Sequence, residues 1–298
     1  MIIGAIDVGS NSIKYLVASV QRGRVRRIAV RSDITRLSGG LDRTNALSAA
    51  AQERTLAVLR RFARDVAGHG ARKIVAVGTE ALRVARNGKS FAARCLKEAG
   101  VPVRIISGRE EARLAYLGAT GGRREKRIAA IDIGGGSTEF MVGSPGRLRI
   151  DVSVPLGAVR LTERHFASDP PALVERLSLF RAVHEGLERL PRRLAVAIGR
   201  AGTFLGIGGT CVNVARMVHP RGDPEGRRVP LETLESILDG LAELTLARRK
   251  RVPGIDPARA DIIIAGARIL VESLKAFDID GFTATTRGLR HGLILSLS

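Results

Sequence analysis

An aspartate, a glycine and a serine occur at one spacing twice in this chain: Asp7, Gly9 and Ser12, then Asp132, Gly134 and Ser137, each 125 residues further on. The surroundings repeat as well, IGAIDVGSNSIKYLV over 3–17 becoming IAAIDIGGGSTEFMV over 128–142. In each copy an aspartate opens a tight Gly/Ser turn. Glycine lets such a turn bend and lets a bulky anion approach the backbone N–H groups, while hydroxyls add donors. Gly9, Ser10, Asn11 and Ser12 in the first turn are therefore candidate phosphate-binding residues, as are Gly134, Gly135, Gly136, Ser137 and Thr138 in the second. Asp7, Asp132 and Glu139 are hard oxygen ligands at the mouths of these turns, suited to Mg2+ that also takes phosphate and water oxygens. The copies differ at one informative place, Lys14 against Glu139. That difference divides the work, with a cation for phosphate on one wall and a metal-binding acid on the other.

Two further groups have phosphate chemistry. Gly208, Gly209 and Thr210 follow a strand-like run and open a helix, and the free N–H groups of a helix start attract anions. Thr79 and Arg83 lie four residues apart after the apolar run 73–77, where an arginine can hold a phosphate with two N–H groups. The five histidines have no metal-ligand spacing. Cys95 and Cys211 form neither a metal motif nor a disulfide framework, and they are expected as buried thiols.

Positioning these residues requires strands that end at the turns. Apolar periodicity places strands at 2–6, 13–20 and 25–30, then a helix at 45–67 with Leu47, Leu56, Leu59 and Val66 on its apolar face. A strand at 73–77, a helix at 90–99 closed by Gly100, a strand at 103–106 and a helix at 109–118 follow. The second half opens alike, with strands at 127–132, 138–142 and 148–154. A helix at 171–187, a strand at 204–207 and helices at 231–248, 257–277 and 287–296 complete it. Three strands, helix, strand, helix, strand, helix is the order of an actin-type, ribonuclease-H-like domain. The expected fold class is α/β, two ribonuclease-H-like (actin-like ATPase) domains facing across a cleft. Their expected bounds are 1–122 and 123–298, with the basic loop 121–126 as the junction.

Composition excludes several classes. At 298 residues and 45% apolar content the chain is long enough for two cores and too apolar for disorder. No apolar run reaches the roughly 18 residues of a membrane span, and the N-terminus enters a strand without a basic leader, so a cytoplasmic protein is expected. The net charge of +20 attracts polyanions, but 42 arginines against 7 lysines also reflect GC-rich coding. The clusters Arg22–Arg27, 123–127 and 247–251 are expected as solvated charge. With 3% aromatics and no tryptophan, the stacking platforms of single-strand binders are missing, so nucleic acid is not the expected ligand.

Eight blocks in order carry a resemblance: AIDVGSNSIK from Ala5, GTEALR from Gly78, ISGREEARLAYLGA from Ile106 and AAIDIGGGSTEF from Ala129, then PLGAVRLTERHF from Pro155, GGT from Gly208, RADIIIAGARIL from Arg259 and RGLRHGLIL from Arg287. Over essentially its whole length the chain resembles the exopolyphosphatase / guanosine pentaphosphate phosphohydrolase family, in its short two-domain form. That family lies within the actin–hexokinase–heat-shock-70 superfamily. The resemblance implies Mg2+-dependent hydrolysis of the terminal phosphate of inorganic polyphosphate. It places the water-activating carboxylate at Glu111 and supports Arg83 on phosphate. Glu110, the adjacent acid, is expected as an ordinary partner of the helix dipole. His291 departs from the pattern, standing where an acid is expected. Guanosine penta- or tetraphosphate as a further ligand, and a homodimer, are left open. Two other readings share Asp7 and Asp132, a small-metabolite kinase and a non-catalytic sensor of alarmone or polyphosphate. The EEAR block followed by IDIGGGSTEF favours the hydrolase, and Glu111, Asp132 and Glu139 together speak against a sensor.

Overall fold

The computed structural model, which describes residues 1–21 and 24–297, folds the repeated segment into the same hairpin twice. In the first copy β1 (Ile2–Val8) pairs antiparallel with β2 (Ser12–Gln21), setting Asp7 opposite Lys14. The sheet continues through β3 (Arg24–Ile34) on one side, and through β4 (Lys73–Gly78) and β5 (Val103–Ile105) on the other, in the order β3-β2-β1-β4-β5. In the second copy β6 (Ile128–Ile133) pairs with β7 (Thr138–Ser144), and Asp132 faces Glu139. With β8 (Arg147–Val154), β9 (Thr203–Ile207), β10 (Arg228–Pro230) and β11 (Gly281–Ala284), that sheet runs β10-β11-β9-β6-β7-β8. β1, β4 and β5 are parallel to one another, as are β6, β9 and β11. Each sheet therefore has the ribonuclease-H-like order, the fold of actin-like domains.

β1 and β6 are near-continuous apolar runs because both of their faces are covered. On one face of the first sheet Ile6, Val8, Ile13, Tyr15 and Val17 meet Leu56, Leu59, Phe62 and Val66 of the helix Ala49–Gly68. On the other, Ile3, Ala5, Leu16 and Ala18 meet Leu114, Leu293 and Ile294. The last two belong to the helix Leu289–Leu295, which brings the end of the chain back to the first sheet. Contacts accordingly divide the chain into Met1–Gly118 with the residues from Gly288 onward, and Ala119–Arg287. The sequence-based bound of 123–298 had kept the last helix with the second half. The reason lies in two glycines where the helices Gly108–Thr120 and Leu289–Leu295 meet backbone to backbone. A Cβ on Gly292 would come within 1.8 Å of Leu114 O, and one on Gly118 within 2.1 Å of Gly288 O.

Other boundaries moved for local reasons. The helix expected at 45–67 begins at Ala49, where Ser48 Oγ accepts from Ala51 N–H at 3.3 Å. The helix Ala158–His165, and strands β10 and β11, had no counterpart in the expected elements. Of the basic cluster Arg22–Arg27, Arg22 lies outside the described residues, and Arg26 and Arg27 are exposed. The expectation of solvated charge fails at Arg249, which is 4% exposed. Its guanidinium donates to Asp169 Oδ1 at 3.1 Å, Leu244 O at 2.7 Å and Ala260 O at 3.2 Å, and burial lowers its pKa. It ties three segments of the second unit together. Cys95 and Cys211 are both free and buried; burial pushes the Cys95 thiol up to about 12 and raises Cys211 further, so both stay protonated. Among the described residues no helix is long and apolar enough to cross a membrane.

Candidate functional site

In the first unit the candidate residues collect where the parallel strands β1, β4 and β5 end, the edge at which open α/β sheets bind ligands. Asp7 closes β1 and the turn follows, held by Gly9 N–H to Ser12 O at 3.1 Å. The carbonyls of this turn are tied off behind it: Ser38 N–H donates to Ser10 O at 3.0 Å, and Thr35 and Arg36 N–H to Asn11 O at 3.1 and 2.9 Å. A peptide's C=O and the next N–H point in opposite directions across the plane. The N–H groups of Asn11 and Ser12 are therefore aimed away from the 35–38 segment, as an anion-binding concavity requires.

Asp7 is 8% exposed, and burial raises its pKa against the opposing pull of Lys14 and Arg290. Its Oδ1 has no hydrogen-bond donor, and neither does Asn11 Nδ2 have an acceptor, among the described residues. Buried polar atoms that the protein leaves unsatisfied are commonly met by a bound ion or water, and here one acceptor and one donor are left over. A Cβ on Gly9 would stand 3.8 Å from Asp7 Oδ1 and 4.0 Å from Thr79 Oγ1, so these two oxygens flank the turn. Arg290, which the sequence did not single out, donates to Tyr15 O at 2.7 Å and brings its charge to Asp7.

Glu111 stands in the first turn of the helix Gly108–Thr120, which follows β5. Ser107 O accepts from its N–H at 2.9 Å, and Ser107 Oγ from Glu110 N–H at 3.2 Å. Glu110 is occupied by Arg104, with N–O distances of 2.9 and 2.8 Å, and that hydrogen-bonded pair lowers its pKa. Glu111 meets Arg83, whose Nη1 lies 3.0 Å from Glu111 Oε2.

The second unit repeats the construction at the ends of β6, β9 and β11. Gly134 N–H donates to Ser137 O at 2.9 Å, matching the first turn. Its carbonyls are tied off by the start of the helix Ala158–His165: Ala158 N–H to Gly134 O at 3.0 Å and Val159 N–H to Gly135 O at 2.9 Å. Arg160 Nη1 takes Gly136 O at 2.6 Å. By the same peptide geometry the N–H groups of Gly135, Gly136 and Ser137 face away from that helix. Asp132 and Glu139, cross-strand neighbours, share one face of the sheet, and Glu139 Oε1 accepts from Ser137 Oγ at 2.6 Å and Ser153 Oγ at 2.9 Å.

Several hydroxyls turn elsewhere than expected. Ser10 Oγ is directed at Glu80 Oε2 at 3.4 Å, Ser137 Oγ at Glu139, and Thr138 Oγ1 at Leu156 O at 2.5 Å. The Thr210 side chain lies against Gly266, where a Cβ would come within 2.6 Å of its Oγ1. In these turns the donors still open to an anion include the outward backbone N–H groups and, in the first turn, the Asn11 side-chain amide. At the start of the helix Gly208–Val218, the part-buried Arg259 guanidinium lies over Gly209, where a Cβ would be 2.3 Å from Nη1. Burial lowers the pKa of Arg259, with Asp256 and Asp261 opposing. Arg160 and Arg259 fall inside quoted motif blocks, but nothing in their spacing marks them out.

Gly208 joins the two features of this unit. Its φ is +86°, and a Cβ would stand 2.6 Å from Asp132 Oδ1. Gly208→Ala should cost about 1–2 kcal/mol for the left-handed backbone alone, and it should displace the Asp132 carboxylate. Gly226→Ala is the control, because Gly226 has φ +75° with nothing within 4 Å of a Cβ. Both variants should lower the melting temperature, by about 2–8 °C for a unit of this size. Only Gly208→Ala should also raise the magnesium requirement, and equal magnesium titrations for the two would count against Asp132 as a ligand.

In the second unit the Asp132–Glu139 pair, and separately in the first unit Asp7 Oδ1, are oxygen donors of the type a hard divalent cation takes. Among the described residues no three acidic, histidine or cysteine side chains form a closed cage.

The sequence profile of the Ppx/GppA phosphatase family matches residues 16–298. Exopolyphosphatase 2 of Mycobacterium tuberculosis is 32% identical over 317 aligned positions, covering 99% of this chain and 98% of the relative. The crystal structure of the Aquifex aeolicus Ppx/GppA family member superposes with a TM-score of 0.82 at 30% identity, over 100% of this chain and 97% of that one. An exopolyphosphatase from Cytophaga hutchinsonii gives a TM-score of 0.89 at 25% identity, with the same coverage of both chains. With a family profile spanning nearly the whole chain and a full-length relative above 30% identity, the chain belongs to the Ppx/GppA phosphatase family.

Proposed function

We propose that this chain is a cytoplasmic, magnesium-dependent exopolyphosphatase that hydrolyses the terminal phosphoanhydride of inorganic polyphosphate. The observation that carries the reading is the pair of turns at 9–12 and 134–137, each with its carbonyls tied off from behind and its N–H groups turned outward. Lys14 opposite Asp7, and Gly208 and Gly209 at their helix start, add positive potential for phosphoryl oxygens. Glu111 is the proposed general base. It accepts the proton of a water whose oxygen attacks the terminal phosphorus, and the bridging P–O bond breaks to leave a shortened chain and orthophosphate. The proposed metal-binding carboxylates are Asp132 and Glu139 in the second unit and, taken separately, Asp7 in the first. When bound, the ion supplies neutralising charge for the phosphoryl oxygens.

The deciding assay is phosphate release with magnesium from long polyphosphate, guanosine pentaphosphate and ATP. Release from polyphosphate is expected, and release from guanosine pentaphosphate would widen the substrate range. Transfer from ATP to a metabolite without hydrolysis of polyphosphate would make the chain a kinase, and tight binding without turnover would make it a sensor.

Polyphosphate affinity should fall steeply with salt, because a multiply charged chain lying across arginines displaces counterions. By analogy with single-stranded nucleic acid, a chain neutralised at about four phosphates should lose about 50-fold in affinity between about 50 and 200 mM salt. Binding constants at two ionic strengths, for short and long chains, measure this. A flat response would confine recognition to the terminal phosphates and leave the +20 charge without a part in it.

A further inference from the structure

We infer that Arg83 is a positioning residue for Glu111 rather than a ligand of phosphate, an inference that rests on Glu111 being the base. Arg83 sits on the five-residue helix Glu80–Val84 after β4. Glu111 sits on the helix after β5, the strand parallel and adjacent to β4. Gly78 O accepts from Ile106 N–H at 3.1 Å, so the two connections leave the sheet side by side. Arg83 bridges them. Its Nη1 donates to Ile106 O at 3.0 Å and to Glu111 Oε2 at 3.0 Å.

A guanidinium Nη carries two hydrogens, and both on Nη1 are taken. Nη2 faces the same segment: a Cβ on Gly108 would be 3.7 Å from Nη2 and 3.9 Å from Cζ. Nη1 is thus committed to residues 106–111, and the end-on fork that a bidentate phosphate grip could use has lost one of its two nitrogens. What the contact does is restrict Glu111. A glutamate at a helix start has three torsions to fix, and a bond to Oε2 from a guanidinium that is itself anchored on Ile106 O fixes them. Restricting the carboxylate restricts the direction in which it can meet the attacking water, and misplacement of a reacting group by about 1 Å can cost on the order of 100-fold in rate.

The test uses Arg83→Gln, Arg83→Lys, Glu111→Gln and the double variant Arg83→Gln/Glu111→Gln in the full chain. Steady-state rates on long polyphosphate are combined with polyphosphate affinity measured directly in the Glu111→Gln background. Arg83→Gln should lower kcat on the order of 100-fold and leave KM within about threefold. Added to Glu111→Gln it should cost under about threefold more in rate and leave affinity unchanged, because two residues acting as one unit are not additive. Arg83→Lys keeps the charge and has donors for both oxygens, but its nitrogen reaches one bond less far than Nη1, so it should recover only part of the kcat that Arg83→Gln loses, at a near wild-type melting temperature. A folded Arg83→Gln with wild-type kcat would overturn the inference. So would a tenfold or larger loss of affinity at unchanged kcat, or losses that multiply in the double variant. If Glu111→Gln alone keeps most of its activity, the base is misassigned and the inference falls with it, an outcome distinct from the others.

Discussion

Glu111→Gln should lower turnover of polyphosphate by about 10²–10⁴, the range that loss of a general base typically costs. The amide has nearly the same volume, and its oxygen can still accept from Arg83 Nη1, so the helix start and the 3.0 Å contact should survive. What it cannot do is take a proton from water. Polyphosphate affinity should therefore stay within about threefold of wild type, since the expected loss belongs to the transition state alone. Rate and affinity measured on the same preparation decide the matter. A variant keeping more than half of the wild-type rate would falsify the role assigned to Glu111.

Asp132→Ala should raise the magnesium concentration for half-maximal activity by at least about 100-fold, beyond the 10–100-fold that losing a mere outer partner of a ligand costs. Asp132 and Glu139 face each other across β6 and β7, and removing one leaves a single carboxylate of that proposed pair. Glu139→Ala should act in the same direction but less severely, because Asp132 would remain. It also frees the hydroxyls of Ser137 and Ser153, which now donate to Glu139 Oε1. Titration of activity against magnesium reads both effects. Curves that superpose on wild type would remove these residues from the metal site.

By itself the sequence determined what is local or repeated. The 125-residue recurrence marked both hairpins, and the structure places Asp7 opposite Lys14 and Asp132 opposite Glu139 because register in a tight hairpin follows from the turn. The apolar runs marked the central strands, since period and length suffice where both faces are covered. Tertiary structure decided whatever depends on distant partners. The last helix joined the first unit because Gly292 and Gly118 allow two backbones to touch, a match between positions far apart in sequence that no periodicity contains. Arg249 looked like solvated charge and became a buried clamp, because its partners come from Asp169, Leu244 and Ala260. The hydroxyls of Ser10, Ser137 and Thr138 were legible as members of the repeated turns, but their directions were not. A hydroxyl donates one proton, and which acceptor receives it depends on Glu80, Glu139 and Leu156, brought there by the fold. The same holds for Arg83, a plausible phosphate grip by spacing, whose guanidinium meets Glu111 only because β4 and β5 lie side by side.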